Sequence, residues 1–168
     1  GWKNASFGDL CPEASDELLT EIDRLNETDS NARVAALESL GSRAAEAKAA
    51  LPAIHACLSD ESESVRVHAA CALWTITSSP SETVPALETV LGGADPDSVA
   101  LACYLLGEIG DEASPAIQTL AGLQNHTCVE VRIHAAEALL KITGGGSGSA
   151  IVLTNSLADC AEQERCLV

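Results

Sequence analysis

The side chains with the widest chemical repertoire in this 168-residue chain are four histidines and seven cysteines. His68 and Cys71 stand three apart, which places both on one side of a helix. There an imidazole could take a thiol proton and leave a nucleophilic thiolate, but no third group stands by to orient the ring. The cysteines are Cys11, Cys57, Cys71, Cys103, Cys128, Cys160 and Cys166, an odd number with no CxxC, so no ligand set at zinc spacing is offered. They read as reduced thiols packed as small hydrophobes, in a cytoplasmic type of protein. Gly144-Gly145-Gly146-Ser147-Gly148-Ser149 is not followed by the lysine of a phosphate-binding loop. Asp95 and Asp97 lack the later ligands and the glycine of a calcium loop. The expectation is a non-enzyme with no catalytic residue, no cofactor and no metal.

Charge narrows the partners. The formal net charge is −16, from 25 acidic and 9 basic residues. Such a surface repels a phosphate backbone, which excludes nucleic acid as the natural ligand. Between Arg66 and Arg132 no Lys or Arg occurs, while eight acids do. That stretch suits either a solvated surface or a partner with a basic segment. No run of about 18 apolar residues is present, so no membrane-spanning helix is expected. The chain contains no Met. With its apolar end at Val168, that suggests a piece of a longer array.

Any site must be positioned by helices. Apolar residues make up 46% of the chain but aromatics only 2%, the balance of a core built from closely approaching Ala- and Leu-rich helices. Val65-Arg66-Val67-His68-Ala69-Ala70 returns sixty-six positions later as Val131-Arg132-Ile133-His134-Ala135-Ala136. Half that distance gives three columns in register. They are Ala36, Ala69, Ala102, Ala135; Leu40, Leu73, Leu106, Leu139; and Arg33, Arg66, Val99, Arg132. Prolines at 52, 85 and 115 mark a second landmark in successive units. The fold class is therefore all-α, with an irregular leader over 1–14 and a repeat domain over 15–168. Helices are expected near 15–26, 30–41, 44–58, 62–77, 81–91, 96–109, 112–123, 128–142, 149–158 and 161–168.

The columns resemble the HEAT repeat, in the short variant found in phycobilisome-lyase subunits. Pro52, Asp60, Val65 and Arg66 reproduce the family pattern in one repeat, and it is partial elsewhere. Glu27, Gly93 and His126 replace the Asp, and Val99 replaces an Arg. The resemblance implies a right-handed α-α superhelix of about ten short helices in stacked antiparallel pairs. It also implies a structural ladder of Asp60, Arg66 and Arg132 between repeats. In HEAT-type hydroxylases His-Glu pairs hold iron, but His55, His68, His126 and His134 are each followed by Ala or Thr, so that site is absent.

The same resemblance places the second helix of each pair on the concave surface. Register-equivalent positions there are Glu38, Cys71, Tyr104 and Glu137, and one column over Ala35, His68, Leu101 and His134. Trp74 aligns with Gly41, Gly107 and Leu140. Tyr and Trp are favoured interface anchors and scarce here. The candidate partner-binding residues are therefore His68, Cys71, Trp74, Tyr104, His134 and Glu137. The expected function is a monomeric scaffold binding another protein or peptide on a concave acidic face. The alternatives are a bilin-lyase-like subunit acting on a linear tetrapyrrole, or a structural spacer.

Overall fold

The computed structural model describes residues 16–145, all of them in helices and short turns with no strand among them. Two compact units divide the chain, Gly1–Ser79 and Pro80–Val168. In the first, α1 (Asp16–Arg24) packs on α2 (Ser30–Ser42), and α3 (Leu51–Cys57) packs on α4 (Glu63–Thr77). The second repeats the plan with α5 (Pro80–Leu91) on α6 (Pro96–Ile109) and α7 (Ile117–Leu123) on α8 (Val129–Thr143). Within each unit the two pairs associate chiefly through their second helices, α2 with α4 and α6 with α8. Eight of the ten expected helical runs thus have counterparts. The runs at 149–158 and 161–168 and the leader over 1–14 lie outside the described residues.

The register columns are the cores. Ala36, Ala69, Ala102, Ala135, Leu40, Leu73 and Leu106 are fully buried, and Leu139 nearly so. A column of alanines between second helices lets their backbones approach, and the leucine one turn later fills the space below. Glycine extends the closeness: a Cβ on Gly107 would lie 3.1 Å from the Cα of Ala138, and one on Gly41 would lie 3.5 Å from the Cα of Ala72.

Two expected helices differ in their first half. Residues Ala44–Ala50 and Gly110–Ala116 wind as 3-10 helices before α3 and α7 begin. Pro115 lies inside the second of these stretches and Pro52 two residues beyond the first, whereas Pro85 sits inside α5, which is α-helical throughout. Pro52 itself sits at the start of α3, where no N–H is missed.

Helix ends follow from the sequence as well. Asp29 caps α2 by accepting from the N–H of Asn31, and Asp95 caps α6 by accepting from the N–H of Ser98. Of the eight acids between Arg66 and Arg132, Glu82, Asp97, Asp111, Glu112 and Glu130 stand in first turns, and Asp95 is a cap. The helix dipole favours negative charge there, so most of this run has a structural cause. At the other end, α4 stops at Ser78 with φ 48° and α8 at Gly144 with φ 69°, register-equivalent residues in the left-handed conformation.

Candidate functional site

The arginine column builds the turns. Arg33 donates from Nη1 to the carbonyls of Glu27 (2.9 Å) and Thr28 (3.1 Å). Arg66 does the same to Asp60 (2.8 Å) and Glu61 (3.1 Å), and Arg132 to His126 (3.0 Å) and Thr127 (3.3 Å). Each guanidinium thereby closes the loop between the two helices of its own pair. The rung that joins neighbouring pairs is Arg33 to Asp60: Nη2 donates to Oδ1 at 2.8 Å, and Arg33 is only 6% exposed. The carboxylate of Asp60 therefore faces Arg33 of the preceding pair, while Arg66 takes the Asp60 carbonyl. Asp60 Oδ1 also accepts from the N–H of Ser62 at 2.9 Å. At the register-equivalent turn, His126 accepts from the N–H of Cys128 at 3.1 Å through an unprotonated Nδ1. An imidazole there performs the turn-closing part of the aspartate's work.

The second helices of the first unit carry His68 and Cys71. They line a groove of about 250 Å³ with Leu37, Glu38, Gly41, Ser42, Ala72 and Thr75. His68 Nδ1 donates to the carbonyl of Ser64 at 2.7 Å, and Nε2 lies 3.5 Å from Glu38 Oε1. Burial pushes the Cys71 thiol above its ordinary value; a hydrogen bond from Thr75 lowers it and the charge of Glu38 raises it further. Burial and the Glu38 charge both favour the protonated thiol, the opposite of the lowering that activates a cysteine. Trp74 is half-buried on α4 and is not among the residues that line this groove.

The second unit gathers three of the other sequence-derived candidates. Along α6, Asp97, Leu101, Tyr104 and Glu108 follow i, i+4, i+7, i+11 spacing, and along α8 so do Glu130, His134, Glu137 and Lys141. The two rows share one face, because the Tyr104 ring meets His134 edge-on, with centroids 6.2 Å apart and planes at 79°. His134 Nδ1 is 3.2 Å from Glu137 Oε2. Lys141 Nζ sits over the Tyr104 ring, 5.6 Å from its centroid, and donates to Glu108 Oε1 at 2.5 Å. That hydrogen bond holds the Lys141 ammonium above its ordinary pKa, with added support from the charges of Glu108, Tyr104 and Glu137. Tyr104 is 45% exposed, the one large hydrophobic side chain so exposed among the described residues.

Sequence reasoning missed Glu108 and Lys141 as members of this face. Their signal was present: they carry opposite charges one repeat period of thirty-three apart, on helices that stack in register.

Among the described residues no three His, Cys, Asp or Glu side chains are gathered where they could hold a metal ion. Nor is any described helix long and apolar enough to cross a membrane.

Against known proteins, the sequence pattern of HEAT repeats matches residues 18–103. Among solved structures, an engineered protein from a structural-genomics crystal structure aligns with a TM-score of 0.59 at 22% identity, covering 86% of this chain and 71% of that one. A designed armadillo repeat protein aligns with a TM-score of 0.52 at 21% identity, covering 83% and 70%. At those identities the likeness speaks for the fold alone. No curated protein matches.

Proposed function

This chain belongs to the HEAT-repeat family, and on that premise we propose that it is a non-catalytic scaffold whose second helices bind a basic segment of a partner protein. One observation carries the reading: the exposed ring of Tyr104 lies on a face with Asp97, Glu108, Glu130 and Glu137, against the single ammonium of Lys141. An aromatic anchor supplies affinity, and surrounding carboxylates steer a cationic segment and fix its register. Three of the eight acids between Arg66 and Arg132, namely Asp97, Glu108 and Glu130, stand in these rows, whereas the corresponding rows of α2 and α4 hold only Glu38, His68 and Cys71 as titratable groups.

The test is titration of the full chain with a lysine- and arginine-rich peptide. Tyr104→Ala should cost about 1–2 kcal/mol of binding with the far-ultraviolet helical signal intact. Association should slow as salt shortens the Debye length from about 10 Å at 0.1 M to about 3 Å at 1 M. Unchanged affinity in Tyr104→Ala together with salt-insensitive association would move the site off this face.

A further inference from the structure

Resting on the binding face just described, the geometry points to Tyr104 as a seat for an arginine side chain of the partner, a seat that Lys141 fills in the free chain. Lys141 Nζ already occupies the place of a ligand cation, 5.6 Å from the ring centroid. Glu108 holds it there at 2.5 Å, and Glu137 acts on the same ammonium from α8. His134 packs edge-on against the ring, bracing it.

This arrangement suits a guanidinium better than the ammonium it now holds. A guanidinium is planar and weakly hydrated, stacks on an aromatic face, and offers a fork of donors that can serve Glu108 and Glu137 together. Lys141 is a strongly hydrated point charge with a side chain 48% exposed, and its pair with Glu108, itself 43% exposed, contributes little to stability. Its displacement by an incoming arginine is therefore cheap. The freed ammonium swings into water on its flexible stem, and both carboxylates keep a cation. Lys141 thus competes with the partner, and removing it should strengthen binding, the opposite of what deleting a contact residue does.

The test uses the full chain and a capped peptide of arginines separated by Gly-Ser spacers, with the same peptide carrying lysines as comparison. Lys141→Gln, which keeps the stem length without the charge, should tighten the arginine peptide about threefold, and the lysine peptide should bind wild type about threefold more weakly than the arginine one. The gain should vanish when Lys141→Gln is combined with Tyr104→Leu, because a general charge effect would persist without the ring. Weaker or equal binding by Lys141→Gln, a gain that survives Tyr104→Leu, or equal affinity for the two peptides would each overturn the proposal. If instead Tyr104→Leu alone leaves wild-type binding undiminished, the binding face itself is misplaced, a failure distinct from that of the arginine seat.

Discussion

Arg33 and Asp60 form a charged rung across two neighbouring helix pairs, with Nη2 to Oδ1 at 2.8 Å, and the rung leaves Arg33 Nε buried without a partner. Asp60 is the more consequential of the two. Its carboxylate meets both Arg33 and the N–H of Ser62, and its carbonyl receives Arg66. Asp60→Ala should destabilise the fold by about 3 kcal/mol or more, because it strands a buried guanidinium and opens the turn. Asp60→Asn keeps the turn-closing acceptor and should cost less. Urea unfolding of the two variants checks this, and equal costs would mean that the turn-closing acceptor contributes nothing and the lost charge accounts for the whole effect.

How much of this was legible before the structure depends on the range over which each contact acts. The alanine and leucine columns headed by Ala36 and Leu40 are short-range periodicities, and they mark the buried faces of α2, α4, α6 and α8. The Asp and Arg residues of the ladder were visible too, but their pairing was not. Asp60 lies six residues from Arg66 and twenty-seven from Arg33, and only the side-by-side packing of α2 and α4 decides which guanidinium meets the carboxylate. The 3-10 starts before α3 and α7 were hidden because Ala44–Ala50 has the composition of an ordinary helix. Tyr104 and His134 stand out by residue type. Lys141 does not, since its part depends on the partner helix that carries Glu108.

Burial raises the thiol of Cys57 to about 11 and that of Cys103 to about 12, desolvation being the largest cause in both. A group whose folded pKa is raised contributes stability below its unfolded value, here 9.0, and that contribution is lost as pH climbs toward the folded value. Stability should therefore fall between pH 9 and about 11, where unfolded chains ionise these thiols first. Cys103→Ala, measured by chemical denaturation across that range, should flatten the decline. An unaltered slope would show that other groups govern it.

Ser78 ends α4 at φ 48°, a conformation that an L side chain adopts at a cost, while its register-equivalent Gly144 takes φ 69° freely. Ser78→Gly should therefore stabilise the protein by about 0.5–1 kcal/mol, the relief of left-handed strain outweighing the added freedom of the unfolded chain. A lower thermal midpoint for this variant would show that the serine hydroxyl contributes more than its backbone costs.

Gly41 and Gly107 occupy the same column of their repeats, yet alanine should act oppositely at the two. Both lie inside helices, where Gly→Ala favours folding by about 0.5–1 kcal/mol. At Gly41 the new methyl would meet the Cα of Ala72 at 3.5 Å and its Cβ at 3.7 Å, ordinary contact distances, so the propensity gain should stand. At Gly107 it would meet the Cα of Ala138 at 3.1 Å, with the Ala138 Cβ and the Lys141 Cδ both at 3.4 Å. The nearest of these atoms is backbone, and it yields only if α8 moves away from α6. Overpacking of that kind costs about 1–3 kcal/mol and overturns the gain. The same shift would carry His134 and Lys141 away from Tyr104, so Gly107→Ala should also weaken peptide binding, while Gly41→Ala leaves it unchanged. Thermal denaturation and peptide titration of the two variants measure both effects. Equal stabilisation by both substitutions would show that α6 and α8 separate without cost.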